Sequence, residues 1–184
     1  MSNQRKKLVH ITGASGSGTS TLGKALSAEL GGTFLEADDI FWLPSDPPFQ
    51  AKRSVEERRA LLLAAFRRSP IAVLSGSVSA WGIEIEDAFD FVVFLYVDTA
   101  LRLERLRERE LRLFGQANPA FLEWAAQYDE GPPEGRSLAK QRAWLSARQC
   151  PVLNLEGDLS TQERLARIRL WMAGRWRQHE RSPR

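Results

Sequence analysis

The chain has 184 residues, 43% of them hydrophobic and 27% charged, with six tryptophans. It is too short for two ordinary cores and too apolar for a disordered segment, so one domain spanning residues 1–184 is expected. A formal net charge of +3 suits a small anionic ligand as well as nucleic acid and decides neither. No apolar run approaches the roughly 18–20 residues that cross a bilayer. The basic start MSNQRKK meets only a short apolar run before Gly13, and the lone Cys150 builds no disulfide framework. A cytoplasmic protein with no membrane partner is expected.

In chain order, KLVHIT (7–12) reads as a strand ending in a glycine-rich turn, after which Leu22, Ala25, Leu26 and Leu30 recur at helical spacing. Gly31 and Gly32 stop that helix, and TFLEA is a second strand leading into the proline-broken loop LPSDPPFQAKR. Ser54 and Glu57 form a capping box for a helix continued by Leu61, Leu62, Ala65 and Phe66. IAVLSGS (71–77), FVVFLYV (91–97) and PVLNLEG (151–157) are apolar runs of the kind buried on both faces of a parallel sheet. Asp98 is the expected cap of a helix from Leu101 to Phe114. Residues 113–137 are an expected lid insertion, in which Asn118 and Pro119 open a helix. A last helix starts at Ser160, with Glu163 completing its capping box and Leu165, Ile168, Met172 and Trp176 as its packing face. Strands alternating with helices predict an α/β sandwich around a mostly parallel sheet.

The first turn, ITGASGSGTST (11–21), carries the chemistry. Gly13, Gly16 and Gly18 let the backbone of Gly13, Ala14, Ser15, Gly16, Ser17, Gly18, Thr19, Ser20 and Thr21 curl around phosphates. Ser20 stands where such a loop ligates magnesium. The pattern GxxxxGK[ST] requires lysine where this chain has Thr19, so a charge that would bridge the β- and γ-phosphates is missing. Lys24 is a poor substitute, lying about 7.5 Å further along the helix and roughly 140° round it.

With GASGSGTST, FLEADD, VLSGS, FLYVDTALRLERLRERE and PVLNLEGDLSTQERLARI, the chain resembles the P-loop kinases of small molecules. Within that superfamily DDIFWLPSDPPF is similar to an adenylate-kinase-like group of bacterial proteins. The resemblance implies a three-layer α/β sandwich with a five-stranded parallel sheet of order 2-3-1-4-5, ATP and magnesium, and transfer of the γ-phosphoryl group to a small acceptor. The chain departs from the pattern at Thr19, at the end of strand three, which lacks a Walker B aspartate, and in a lid without zinc cysteines or paired arginines.

By the same resemblance Asp38 activates the acceptor hydroxyl, Glu36 contacts magnesium through water, and Asp39 is able to exchange roles with Asp38. Gly76 and Ser77 are expected beside the acceptor, and Trp42 and Phe49 either stack on it or pack. Arg102, Arg105, Arg109 and Arg112 share a helix face. Arg105 and Arg109, with Arg136 from the lid, are the candidates for the missing charge, whereas Arg102 reads as part of a solvated face. Arg164, Arg167, Arg169, Arg175, Arg177 and Arg181 make the last helix basic, but its tryptophans fit packing rather than a nucleic-acid partner. His10 and Cys150 read as structural.

Overall fold

The computed structural model describes residues 6–46, 48–131 and 135–179, with side chains through Arg175. Its strands are β1 (Lys7–Gly13), β2 (Thr33–Glu36), β3 (Ile71–Ser75), β4 (Phe91–Tyr96) and β5 (Val152–Glu156). Every pairing between them is parallel and the sheet order is β2-β3-β1-β4-β5, as the resemblance implied. The helices are α1 (Thr19–Leu30), α2 (Ala37–Phe41), α3 (Val55–Arg68), α4 (Ile83–Glu86), α5 (Thr99–Phe114), α6 (Pro119–Ala126), α7 (Leu138–Ser146) and α8 (Thr161–His179).

Side chains alternate across a strand, so each apolar run feeds two cores. Leu8, Leu74, Val92 and Phe94 pack with Leu62 and Phe66 of α3, Ile85 of α4 and Leu145 of α7. Val9, Ile11, Val73, Val93 and Leu95 pack on the opposite face with Leu22 and Leu26 of α1 and Ile168 and Met172 of α8. Cys150 belongs to the first core.

The expected caps form. Ser54 and Glu57 bond reciprocally at the start of α3. Asp98 accepts from the Ala100 amide, Asn118 from Phe121, and Ser160 pairs with Glu163 ahead of α8. Helices α2 and α4, of 5 and 4 residues, are too short for a 3.6 period to register. Helix α7 buries only Gln141 and Leu145, one pair four residues apart. Trp176 and Arg177 have side chains outside the described range, as do Arg181 and, within the expected lid, Pro132, Pro133 and Glu134. Among the described residues no helix is long and apolar enough to cross a membrane.

The chain leaves central β1 for β2 and β3 on one side and reaches β4 and β5 on the other. In open α/β sheets the crevice at such a switch point, beyond the carboxyl ends of the strands, is where ligands bind. Gly13, Glu36 and Ser75 are the carboxyl-terminal residues of β1, β2 and β3.

Candidate active site

The loop after β1 is shaped by what its glycines lack. Gly16 and Gly18 hold φ of 84° and 91°, in the left-handed region that side chains disfavour. A Cβ on Gly13 would lie 2.6 Å from the Leu95 carbonyl oxygen and 2.7 Å from Ser17 Oγ. One on Gly16 would lie 2.6 Å from the Arg102 carbonyl oxygen. Gly18 is the N-cap of α1, and no side chain bonds the first-turn amides there. Buried Ser75 at the end of β3 donates to the Thr19 carbonyl at 2.9 Å and ties the start of α1 to the sheet.

The acidic corner lies across from this loop. Glu36 closes β2, and Asp38 and Asp39 stand in the first turn of α2, a helix the sequence pattern does not predict. Arg53 finishes that short helix by donating to the carbonyls of Asp39 at 3.0 Å and Ile40 at 3.1 Å, and to that of Trp42. Burial pushes the Glu36 carboxyl up to about 7 against an opposing hydrogen bond from Ser20, with Asp38 and Asp39 adding to the rise. Asp38 is exposed, yet loss of hydration raises its pKa too, while Arg136 and Arg109 pull it down and Asp39 pushes it up.

Gly76 permits the close approach of β3 to this corner, since a Cβ there would lie 2.8 Å from Ala37 Cβ and 3.4 Å from Glu36 Oε1. Ser77 Oγ bonds Ser79 Oγ at 3.4 Å. Trp42 packs edge-on against Phe41 and Phe49, with the Lys52 ammonium 5.8 Å from its ring. His10, buried behind the corner, stacks on Phe89 and bonds the Gly76 carbonyl through Nε2 at 3.0 Å. Burial, opposed by that bond and aided by the charges of Arg136 and Arg148, lowers its pKa to about 4, so the ring is neutral.

The arginines separate into different situations. Arg136 reaches back from just before α7 and donates through Nη2 to the Gly13 carbonyl at 2.6 Å, close enough to Asp38 for their charges to interact. It lines, with Ser15, Trp124, Ala125 and Tyr128, the cleft under α6. Arg105 pairs with Asp158, and Arg109 lies 5.7 Å from the Phe121 ring and 3.6 Å from Glu110. Arg112 is exposed.

Two arginines depart from their sequence reading. Arg102 is 1% exposed and is no part of a solvated face. It donates to the carbonyls of Val97 at 3.0 Å and of Ser15 and Ala125 at 3.3 Å, and to Thr99 Oγ1 at 2.7 Å, joining loop, α5 and α6. Arg164, read with the basic surface of α8, is 4% exposed and donates to the Ser17 carbonyl at 2.8 Å. One signal for it was available: residues 164, 168 and 172 are four apart and continue the buried face of Ile168 and Met172 toward the loop.

A family model described as an AAA domain matches residues 9–113, from β1 through α5. The chain belongs to this family. The uncharacterized protein YqaC of Bacillus subtilis (strain 168) is 43% identical to this AAA-domain protein over 173 residues, covering 89% of this chain and 96% of YqaC. The fold is that of the P-loop small-molecule kinases. The shikimate kinase of Bacteroides thetaiotaomicron superposes with a TM-score of 0.57 at 19% identity, covering 91% of this chain and 98% of the kinase. A gluconokinase of Sinorhizobium meliloti 1021 does so with a TM-score of 0.54 at 18% identity, covering 95% and 99%.

Proposed function

We propose that this AAA-domain protein is an ATP- and magnesium-dependent phosphotransferase that moves the γ-phosphoryl group to a small acceptor, a nucleoside monophosphate or a hydroxylated metabolite. The observation that carries the reading is Arg136, which bonds the Gly13 carbonyl of the phosphate loop and shares the electrostatic environment of Asp38, so that donor and acceptor sides meet at one guanidinium. The glycine-shaped cradle and the uncapped α1 amides fit a polyphosphate. Ser20 and Glu36, joined by a hydrogen bond, offer the hard oxygens that magnesium prefers in small number alongside phosphates. When bound, the metal neutralises charge on the transferring phosphate.

In this reading Asp38 accepts the proton of the acceptor hydroxyl. Its raised pKa brings it nearer neutrality, where a base is most effective. Arg136 and Arg109 orient the phosphate oxygens and offset their charge, and phosphoryl transfer consists mostly of such positioning. In this reading Trp42 and Ser77 are assigned to the acceptor and Arg105, which pairs with Asp158, to the nucleotide.

The reading is tested by calorimetry with MgATP followed by a transfer assay against a panel of nucleoside monophosphates, sugar acids and small alcohols. Asp38→Asn is expected to keep ATP affinity within about twofold and to lower transfer by about a hundredfold or more. Thr19 in the lysine position favours a second reading, a catalytically weak ATP-binding protein that acts as a sensor. Firm ATP binding with no transfer to any member of the panel would favour that one.

A further inference from the structure

Nothing within the loop replaces the positive charge that a lysine would bring at position 19. Arg105 is held by Asp158. Arg102 is bonded to four oxygens and lies 3.6 Å from Asp129, and Arg136 binds the Gly13 carbonyl beside Asp38. Arg164 is different. Its Nη1 donates to the Ser17 carbonyl and would lie 2.9 Å from a Cβ on Gly18, whereas its Nε and Nη2 are buried and have no hydrogen-bond partner. Among the described residues no carboxylate forms an ion pair with it; Asp158, the acid whose charge favours it, is engaged by Arg105, whose own charge opposes it.

A guanidinium cannot shed its proton to escape such a place, and a buried cation with no counter-ion is costly. The charge persists against the loop where a nucleotide would bring several negative charges. Its one hydrogen bond also has a direction. The Ser17 carbonyl and the Gly18 N–H belong to the same peptide unit, so a charged donor on the oxygen polarises that N–H and strengthens it toward a phosphate.

We infer that Arg164 of α8 supplies the fixed positive charge that the loop lacks at Thr19, acting through the Ser17–Gly18 peptide as a positioning residue for the nucleotide polyphosphate. This rests on the ATP reading above. It makes the C-terminal helix, outside the residues matched by the family model, part of the nucleotide site.

The test compares the full-length chain with Arg164→Met, Arg164→Gln and Arg164→Lys by calorimetry against MgATP, MgADP and adenosine, with thermal melts of each protein without nucleotide. The Met and Gln variants are expected to lose about tenfold in affinity for ATP and ADP and less than twofold for adenosine. The Lys variant stays within about threefold of wild type. Lysine is the control for charge, because it keeps a cation on a long stem, whereas glutamine, two atoms shorter than arginine, stays polar but loses both the charge and the reach to the Ser17 carbonyl. The melting temperature of Arg164→Met is expected to be unchanged or higher, since an unpaired buried charge has been removed. Thr19→Lys is expected to recover most of the lost ATP affinity in the Arg164→Gln background and to add less than about twofold to wild type.

ATP affinity in Arg164→Gln equal to that of wild type would overturn the inference. So would an equal loss for ATP and adenosine accompanied by a lower melting temperature. A wild type that binds no nucleotide would overturn the proposed function together with it, whereas failure of the variants alone removes only the role of Arg164.

Discussion

The loop after β1 and the acidic corner after β2 both sit at carboxyl ends of strands and meet at the Ser20–Glu36 hydrogen bond, but they are made in opposite ways. The loop is backbone: its form follows from missing side chains at Gly13, Gly16 and Gly18, and in the proposed function its binding groups are amides. The corner is side chain: Glu36, Asp38 and Asp39 sit on an ordinary strand end and helix turn, and their properties come from what surrounds them. A substitution at Gly13, Gly16 or Gly18 should therefore fail by geometry, whatever its polarity. One in the corner should fail by chemistry and leave the fold standing.

The largest effect is expected from Gly13→Ala. The added methyl would meet the Leu95 carbonyl oxygen at 2.6 Å, and that oxygen belongs to the β4 backbone paired with Gly13. That oxygen is fixed backbone and not the far end of a flexible side chain. A loss of about 3 kcal/mol in denaturant titration is expected, with MgATP affinity down by about a hundredfold or more because the loop shifts. Asp39→Asn, in the corner, is expected to leave the unfolding midpoint unchanged. If Gly13→Ala binds MgATP like wild type, the loop is not the rigid cradle described.

Next comes Arg102→Met, which probes the support behind the loop. The variant leaves the carbonyls of Val97, Ser15 and Ala125 without their donor and deprives Asp129 of its cation. Removing one partner of a buried charged network costs about 3 to 5 kcal/mol, read from the urea midpoint at constant slope. A loss below about 1 kcal/mol would mean that α6 and the loop are held together by packing alone.

The same contrast explains what could be read from the sequence. The strands, the loop and the caps at Ser54, Asp98, Asn118 and Ser160 depend on residues within a few positions of one another, so local spacing exposes them, whereas the strand order joins distant segments and was implied by the resemblance alone. The acidic cluster was visible as FLEADD, yet the turn of helix beneath Asp38 was not, since α2 is completed by Arg53, from 14 residues beyond Asp39. Arg102 and Arg164 were misassigned because each is drawn to a loop carbonyl distant in the chain, Ser15 at 87 residues from Arg102 and Ser17 at 147 from Arg164. An arginine among leucines on an amphipathic helix looks solvated until the fold brings carbonyls over it.

The smallest effect, and the one that separates the corner from its background, is in pH. Glu36 rises from an ordinary 4.5 to about 7, so across that interval the native state holds a proton that the unfolded chain has lost, and this group's contribution to stability falls as pH rises. Asp38 is shifted in the same sense. His10 does the reverse: lowered from 6.5 to about 4, it is neutral in the native state where the unfolded chain would protonate it, and its contribution is lost as pH falls through that window. Between pH 4.5 and 6.5 the two oppose each other, and the nucleotide-free wild type is expected to show a shallow profile. Glu36→Gln removes the falling component, so its melting temperature should climb with pH from about 4 to 6.5 more steeply than that of wild type. His10→Gln removes the rising one, leaving a melting temperature that declines toward pH 7. Melts at half-unit pH intervals distinguish these shapes by a few degrees. Profiles for both variants parallel to that of wild type would show that the corner's carboxylates titrate as they do in water, and would remove the raised pKa from the case for Asp38 as a base.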